Sequence, residues 1–497
     1  MKEKNINTLL TIFLLMSPIL DLLTGICIHT LKLPITIGII VRVLFLITIC
    51  IIVLFIFKKK NVLIPYLVIG LYCILYILGI IIYKDGLGLL TEIQGLIKVF
   101  YFPIVLISLY SIKDNIHISK LSLVTTLFLY LIFIFVPTLF HIGYKTYEIT
   151  KAGTLGFFNS ANEISGIISI LTPVLFIVMN FSKNIIPKVL LMIMYIVVIL
   201  MMGTKTPLLS FIITIGFTIG YIWAYWIKQK SYKKVGISLS IILIGLLGLW
   251  IILPKTNFYK NIETHLEFLK IDSIGEIFRD KETMDHFIFS QRLSFFHERA
   301  LDYKEASTYQ KLFGIGYLKE GLNTKQIEMD YFDIYYNHGM IGFLIFFSIL
   351  IFVLYKVLEE KQKQSFEHYM LTISLFLVIF LSFFTGHIIT TPAVGYISIL
   401  LILSIQYYQK KRVLNLTEED LKLTKKIEDK IDLVQDTIPN NNKLSLLWYK
   451  ILNYKTYDIG ISSKKNEFYS DISCKDTIII KKNLDIRKEL ENKLNTQ

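Results

Sequence analysis

Cations and carboxylates alternate through one stretch of this chain at spacings that could handle an anionic substrate. Ser290 to Ala306 reads as a helix in which Arg292, Phe295, Arg299 and Asp302 fall at i, i+3, i+7 and i+10, so two guanidinium groups share a face. Leu293, Phe296 and Ala300 form the adjoining apolar stripe. A guanidinium is a planar fork that fits two oxygens of one phosphate or carboxylate. Gly314 and Gly316, in Phe313-Gly314-Ile315-Gly316-Tyr317, allow a sharp turn with exposed backbone N–H groups. From Thr324, a capping candidate, a second helix is expected, with Asp330, Asp333 and Asn337 on one side. Asp330 and Asp333 at i, i+3 could hold a divalent metal, but no third ligand stands at a fitting spacing and none is expected. The blander reading is a surface helix pair with solvated charges.

Two other short segments carry polar chemistry. Gly203-Thr204-Lys205-Thr206 is a tight turn followed by Pro207, which suits the first turn of a helix. The free N–H groups of that helix start and Lys205 together could bind an anion, although a purely structural lysine fits equally well. Asn159 and Asn162 could hydrogen-bond sugar hydroxyls or cap the following helix.

These segments are held by an apolar chain. Of 497 residues, 54% are hydrophobic and only 18% charged, with mean hydropathy +0.59. Soluble domains sit near about 45–50% apolar and about 25% charged. Repeated apolar runs indicate a polytopic membrane protein, and the first is not followed by a small-residue cleavage site. Twelve spans are expected: Thr8–Ile28, Pro34–Phe57, Val62–Tyr83, Ile93–Ile112, Leu121–Phe140, Ile164–Phe181, Ile185–Met202, Pro207–Trp226, Val235–Leu253, Gly339–Tyr355, Tyr369–Gly386 and Ala393–Tyr408. Lysines collect in the even-numbered connections, from Lys58-Lys59-Lys60 to Lys410-Lys411-Arg412. The positive-inside rule then puts both termini in the cytoplasm and the polar interval outside. The organisation is membrane domain 1–253, extracellular loop 254–338, membrane domain 339–408 and cytoplasmic tail 409–497.

Charges inside spans are costly and normally face a cavity or a partner. Arg42 and Lys98 therefore either snorkel, pair as Asp21–Arg42 and Glu92–Lys98, or bind an anionic substrate. The net charge of +14 marks cytoplasmic loops facing anionic lipid rather than a nucleic-acid partner. The four cysteines have no spacing for a disulfide framework or a metal.

Taken in order, these pieces resemble the O-antigen polymerase and ligase superfamily, across roughly spans five to ten. The run 153–162 (Gly-Thr-Leu-Gly-Phe-Phe-Asn-Ser-Ala-Asn) is similar to the family's Gly-x-Phe…Asn-x-x-Asn approach to a helix. Lys205 stands where many members have arginine in an outer basic turn, and Arg292 with Phe296, Ala300 and Leu301 resembles their Arg-x-x-x-aromatic…Ala-Leu helix. Leu312 to Gly316 resembles the Phe-Gly-hydrophobic-Gly turn, and Glu328 to Gly342 the segment ending Gly-hydrophobic-x-Gly. One position departs: many relatives, ligases especially, have histidine where this chain has Glu328. That form is closer to Gram-positive capsule or cell-wall polysaccharide polymerases.

The resemblance implies an all-α, GT-C-like polytopic membrane protein, with about twelve transmembrane helices and a large extracellular helical loop. It implies an inverting, metal-independent glycosyltransferase that needs no cofactor and uses a glycan on undecaprenyl diphosphate. Arg292 would be the principal diphosphate ligand, followed by Lys205 and Arg299. Asp330 or Glu328 would take the proton of the acceptor hydroxyl, with Asp333 in reserve. Arg42 and Lys98 would meet a phosphate or acidic sugar from the membrane side, and Asn159 and Asn162 sugar hydroxyls. Membrane lipid is a partner, and a flippase and a chain-length regulator are candidate partner proteins. A polymerase is favoured by Glu328; ligase-type transfer to another surface molecule and a lipid-linked oligosaccharide flippase are the alternatives.

Overall fold

The computed structural model describes residues 2–408 except 34–35, 85, 87, 147–152, 182–184, 270, 272–273, 279, 320–321 and 360–364. The tail 409–497, with the helical reading of its first part, lies outside the described residues.

Helices dominate, as the apolar runs require: a backbone in lipid must satisfy its own hydrogen bonds. In order they are α1 (Lys2–His29), α2 (Ile37–Ile51), α3 (Leu63–Lys84), α4 (Leu89–Ser111), α5 (Lys120–Leu139), α6 (Ala161–Phe181), α7 (Ile185–Met202), α8 (Lys205–Lys228) and α9 (Tyr232–Ile252). After them come α10 (Asn257–Phe268), α11 (Lys281–Met284), α12 (Arg292–Glu305), α13 (Thr308–Phe313), α14 (Asp330–Leu358) and α15 (Phe366–Phe384). The last described helix is α16 (Pro392–Tyr408). Among the described residues, ten helices are long and apolar enough to cross a membrane, and α16 is a shorter apolar one. With α9, these elements fall on the twelve expected spans.

The first span turns one face inward. In α1 the buried residues Ile6, Leu10, Phe13, Leu14, Ser17 and Asp21 recur every three or four positions, while Ile12 and Met16 face outward. The same stripe carries Asp21 into the bundle, where Arg42 on α2 donates to Oδ1 and the Tyr130 hydroxyl on α5 donates to Oδ2 at 2.6 Å. Arg42 is thus committed to Asp21. Helix α6 is enclosed by α5, α7, α8 and α15.

Of the alternatives for Lys98, the pair with Glu92 does not form. Glu92 is fully buried in the first turn of α4. It accepts from Tyr76 (2.6 Å), Lys84 (2.9 Å), and the backbone N–H groups of Tyr317 (2.9 Å) and Leu318 (3.1 Å). This one carboxylate fastens the polar interval to the ends of α3 and α4.

The interval itself is mostly helical, with one short antiparallel pairing of Leu318–Lys319 with Leu322–Asn323. The glycine turn does not offer free N–H groups: Ile315 N–H bonds Tyr336 O and Gly316 N–H bonds Asn337 O, both at 3.1 Å. The turn crosses so close that a Cβ on Gly314 would stand 2.1 Å from Asn337 O. Nor does a helix begin at Thr324. Glu328 takes a left-handed φ of +61°, and α14 starts at Asp330, bends at Gly339 (φ +67°) and continues as the tenth span. Loop helix and membrane helix meet directly at the non-helical Gly339, so the polar segment is anchored in the bundle.

Candidate functional site

Arg292 opens α12 because the chain breaks sharply before it: Ser290 and Gln291 both adopt left-handed φ, +54° and +67°. Asp285 stabilises that helix start by accepting from Leu293 N–H and Ser294 N–H, each at 2.9 Å, and from the Ser294 hydroxyl at 2.7 Å. The apolar stripe then packs Phe296 and Ala300 against Ile315, Ile327, Met329 and Tyr336. Arg292 is left facing Glu328, which stands just before α14.

Glu328 is the meeting point. Its Oε2 accepts from Arg292 Nη2 at 3.2 Å and from Asn162 Nδ2 at 3.0 Å, and its Oε1 accepts from Lys325 Nζ at 2.8 Å. Burial raises the Glu328 carboxyl, but Lys325, Arg292 and His387 outweigh it and hold the group below the usual carboxylate range. Arg292 is 8% exposed, and its Nε has no hydrogen-bond partner among the described residues. Its Nη1 donates to Phe289 O at 3.4 Å, and a buried guanidinium with one unused N–H is suited to an incoming anion.

Lys205, at the start of α8, reaches the same place. Its ammonium donates to Phe287 O and lies 4.5 Å from the Phe287 ring centroid, in the segment that leads into Arg292. The two cations are within electrostatic range of each other. The turn beneath Lys205 is fixed by Thr204 Oγ1 against Ser165 Oγ at 2.9 Å. Lys98 on α4 is exposed and faces Glu163 on α6 and His387 electrostatically.

The other candidates serve the frame around this cluster. Arg299 is buried; it donates to Gly316 O and to Asn337 Oδ1 (2.7 Å), clamping the glycine turn to α14. Asp330 accepts from the N–H groups of His387 (2.8 Å), Ile388 and Ile389 (both 2.9 Å) and from Thr390 Oγ1 (2.7 Å). Asp333 accepts from Ile327 N–H at 2.9 Å and Met329 N–H at 3.1 Å, closing the turn that presents Glu328. Asn159 enters through its backbone, with its carbonyl 3.2 Å from His29 Nε2. Residues 157–159 lie flat against Gly25 of α1.

Arg292, Glu328, Asn162 and Lys205 are therefore brought together, while Arg299, Asp330, Asp333, Asn159 and Arg42 are engaged elsewhere. Lys325 and His387 join the cluster from outside the residues singled out in the sequence, while Glu163 faces Asp21, Arg42 and Lys98. Lys325 had a visible signal in its i, i+3 spacing to Glu328. His387 had none, because its neighbours come from distant parts of the chain.

This geometry defines a multi-pass α-helical membrane protein with a cationic site where a polar segment meets one end of the bundle. The family model described as "O-antigen ligase like membrane protein" matches residues 3–276 and 274–410, well beyond spans five to ten, and the chain belongs to that family. Membership makes it a membrane enzyme of surface polysaccharide assembly. No curated protein matches the chain.

Proposed function

We propose that the chain is an inverting glycosyltransferase that joins undecaprenyl-diphosphate-linked oligosaccharide repeats into a surface polysaccharide, with its polar segment outside the cell. The acceptor hydroxyl attacks the anomeric carbon and the lipid diphosphate leaves. A diphosphate is already a good leaving group, so the main requirement is fixed positive charge where negative charge develops. One preorganised donor of this kind contributes about 3–4 kcal/mol. The observation that carries the reading is the Arg292 guanidinium, buried, paired with Glu328 and unpartnered at Nε among the described residues, with Lys205 within electrostatic range. Arg292 and Lys205 take the role of the metal that other diphosphate-using enzymes employ. Asp330 and Asp333 spend their oxygens on backbone N–H groups, which leaves Glu328 as the carboxylate that faces Arg292 in the site. Asn162, already bonded to Glu328, is placed to orient a sugar hydroxyl.

Glu328 at a position where ligases carry histidine supports a polymerase. The description of the matching family supports the second reading, transfer of finished glycan to a different surface acceptor. Deleting the gene and analysing the lipid-linked pool separates them: single repeats on carrier indicate polymerase, and full-length chains on carrier indicate ligase. A pool unchanged from the parent would contradict both.

A further inference from the structure

The connection between α15 and α16 lies against Glu328. A Cβ on Gly386 would stand 2.7 Å from the Glu328 Cα, so the two backbones are in direct contact. The next residue, His387, has a left-handed φ of +69°, a conformation that non-glycine residues seldom adopt without being held there. Asp330 holds it, through four hydrogen bonds to residues 387–390. The result is a half-buried imidazole at the side of the site. The charged groups facing it are Asp330 of α14, Glu328 before α14, Lys98 of α4 and Arg292 of α12.

Glu328 is poorly suited to receive a proton, because Arg292, Asn162 and Lys325 already donate to both of its oxygens. A neutral imidazole is the better acceptor near neutral pH. Burial, then the cations Lys98 and Arg292, push His387 below its ordinary value despite Asp330 and Glu328, which keeps the ring neutral there.

We propose that His387 is the general base of the transfer and that Glu328 stabilises the imidazolium it becomes. The proposal rests on the glycosyl-transfer reading above. As the acceptor oxygen bonds to the anomeric carbon, its O–H bond breaks and the proton passes to a ring nitrogen of His387. The anomeric carbon–oxygen bond to the diphosphate breaks with its electron pair going to the leaving group, which Arg292 and Lys205 neutralise. The imidazolium then returns its proton to water.

The test uses full-length protein in lipid nanodiscs and lipid-linked repeats extracted from cells lacking the gene. Chain growth and release of undecaprenyl diphosphate are followed, alongside binding of undecaprenyl diphosphate itself. His387→Gln and His387→Ala should lower turnover by about 100-fold or more while lipid binding stays within about twofold of the parent. Added imidazole should restore part of the His387→Ala rate, and the fall in rate at acid pH should vanish in His387→Gln. An active parent whose rate and acid limb are unchanged in His387→Gln overturns the proposal but leaves the transfer reading intact. Loss of lipid binding together with turnover in both variants also overturns it, since His387 would then only maintain the fold. A folded parent that neither lengthens nor releases the lipid defeats the transfer reading itself.

Discussion

Arg292 Nη2 and Glu328 Oε2 lie 3.2 Å apart although 36 positions separate them in the chain. The pair exists because two structural breaks meet: left-handed Ser290 and Gln291 before α12, and left-handed Glu328 before α14. Each break is backed by an acid that bonds backbone N–H groups, Asp285 on one side and Asp333 on the other. Positioning and charge pairing are thus assigned to different carboxylates.

That division predicts a stability phenotype for Asp330→Asn. The amide cannot accept on both sides, so at least one of the buried donors at 387–390 is orphaned, at about 1–3 kcal/mol each. Thermal unfolding in detergent should shift to lower temperature in Asp330→Asn than in the parent. Equal melting of Asp330→Asn and the parent would remove Asp330 from its scaffold role.

The glycine crossing makes a sharper prediction. Gly314 has φ +113° and its added Cβ would meet Asn337 O at 2.1 Å, whereas Gly70 has nothing within 4 Å. Gly314→Ala should therefore reduce folded yield severely, and Gly70→Ala should not. Comparable yields of monodisperse protein for the two would contradict the crossing.

Legibility followed the range of the interactions. The twelve apolar runs declare themselves because a span is a local property of about twenty residues. The pairing of α12 with the α14 segment was also visible in outline, since Phe296 and Ala300 mark a packing face. The acceptors of backbone N–H groups were not. Glu92 reaches Tyr317 across 225 positions and Asp330 reaches His387 across 57, and no spacing rule records such a bond. Asp330 and Asp333 looked like reactive carboxylates because their type was readable and their partners were not. Glu328 falls inside the helix expected from Thr324, because a left-handed turn at glutamate has no residue signature.

Acidity offers a test of the Glu328 cluster. The carboxyl is held below its ordinary value of 4.5 by Lys325, Arg292 and His387 against the opposing effect of burial. A depressed carboxylate contributes stability that is fully present above the unfolded value and is lost as pH falls through the folded one. Between pH of about 6 and about 3, the melting temperature of the parent should fall more steeply than that of Glu328→Gln. Parallel curves would show that Glu328 carries no net stabilising pairing.

Sidedness is open to chemical labelling. In a background lacking the four native cysteines, a membrane-impermeant thiol reagent applied to intact cells should label Glu305→Cys in the polar segment and spare Lys58→Cys in the first basic connection. The reverse pattern would place the site away from an outward-facing lipid-linked donor.

The most direct measurement compares chain growth by the purified parent and by Arg292→Ala in liposomes loaded with lipid-linked repeats. If Arg292 holds the diphosphate, the parent builds a ladder of products with release of undecaprenyl diphosphate, and Arg292→Ala leaves single repeats on carrier, a loss of about 100-fold or more. An undiminished ladder from folded Arg292→Ala would contradict the account.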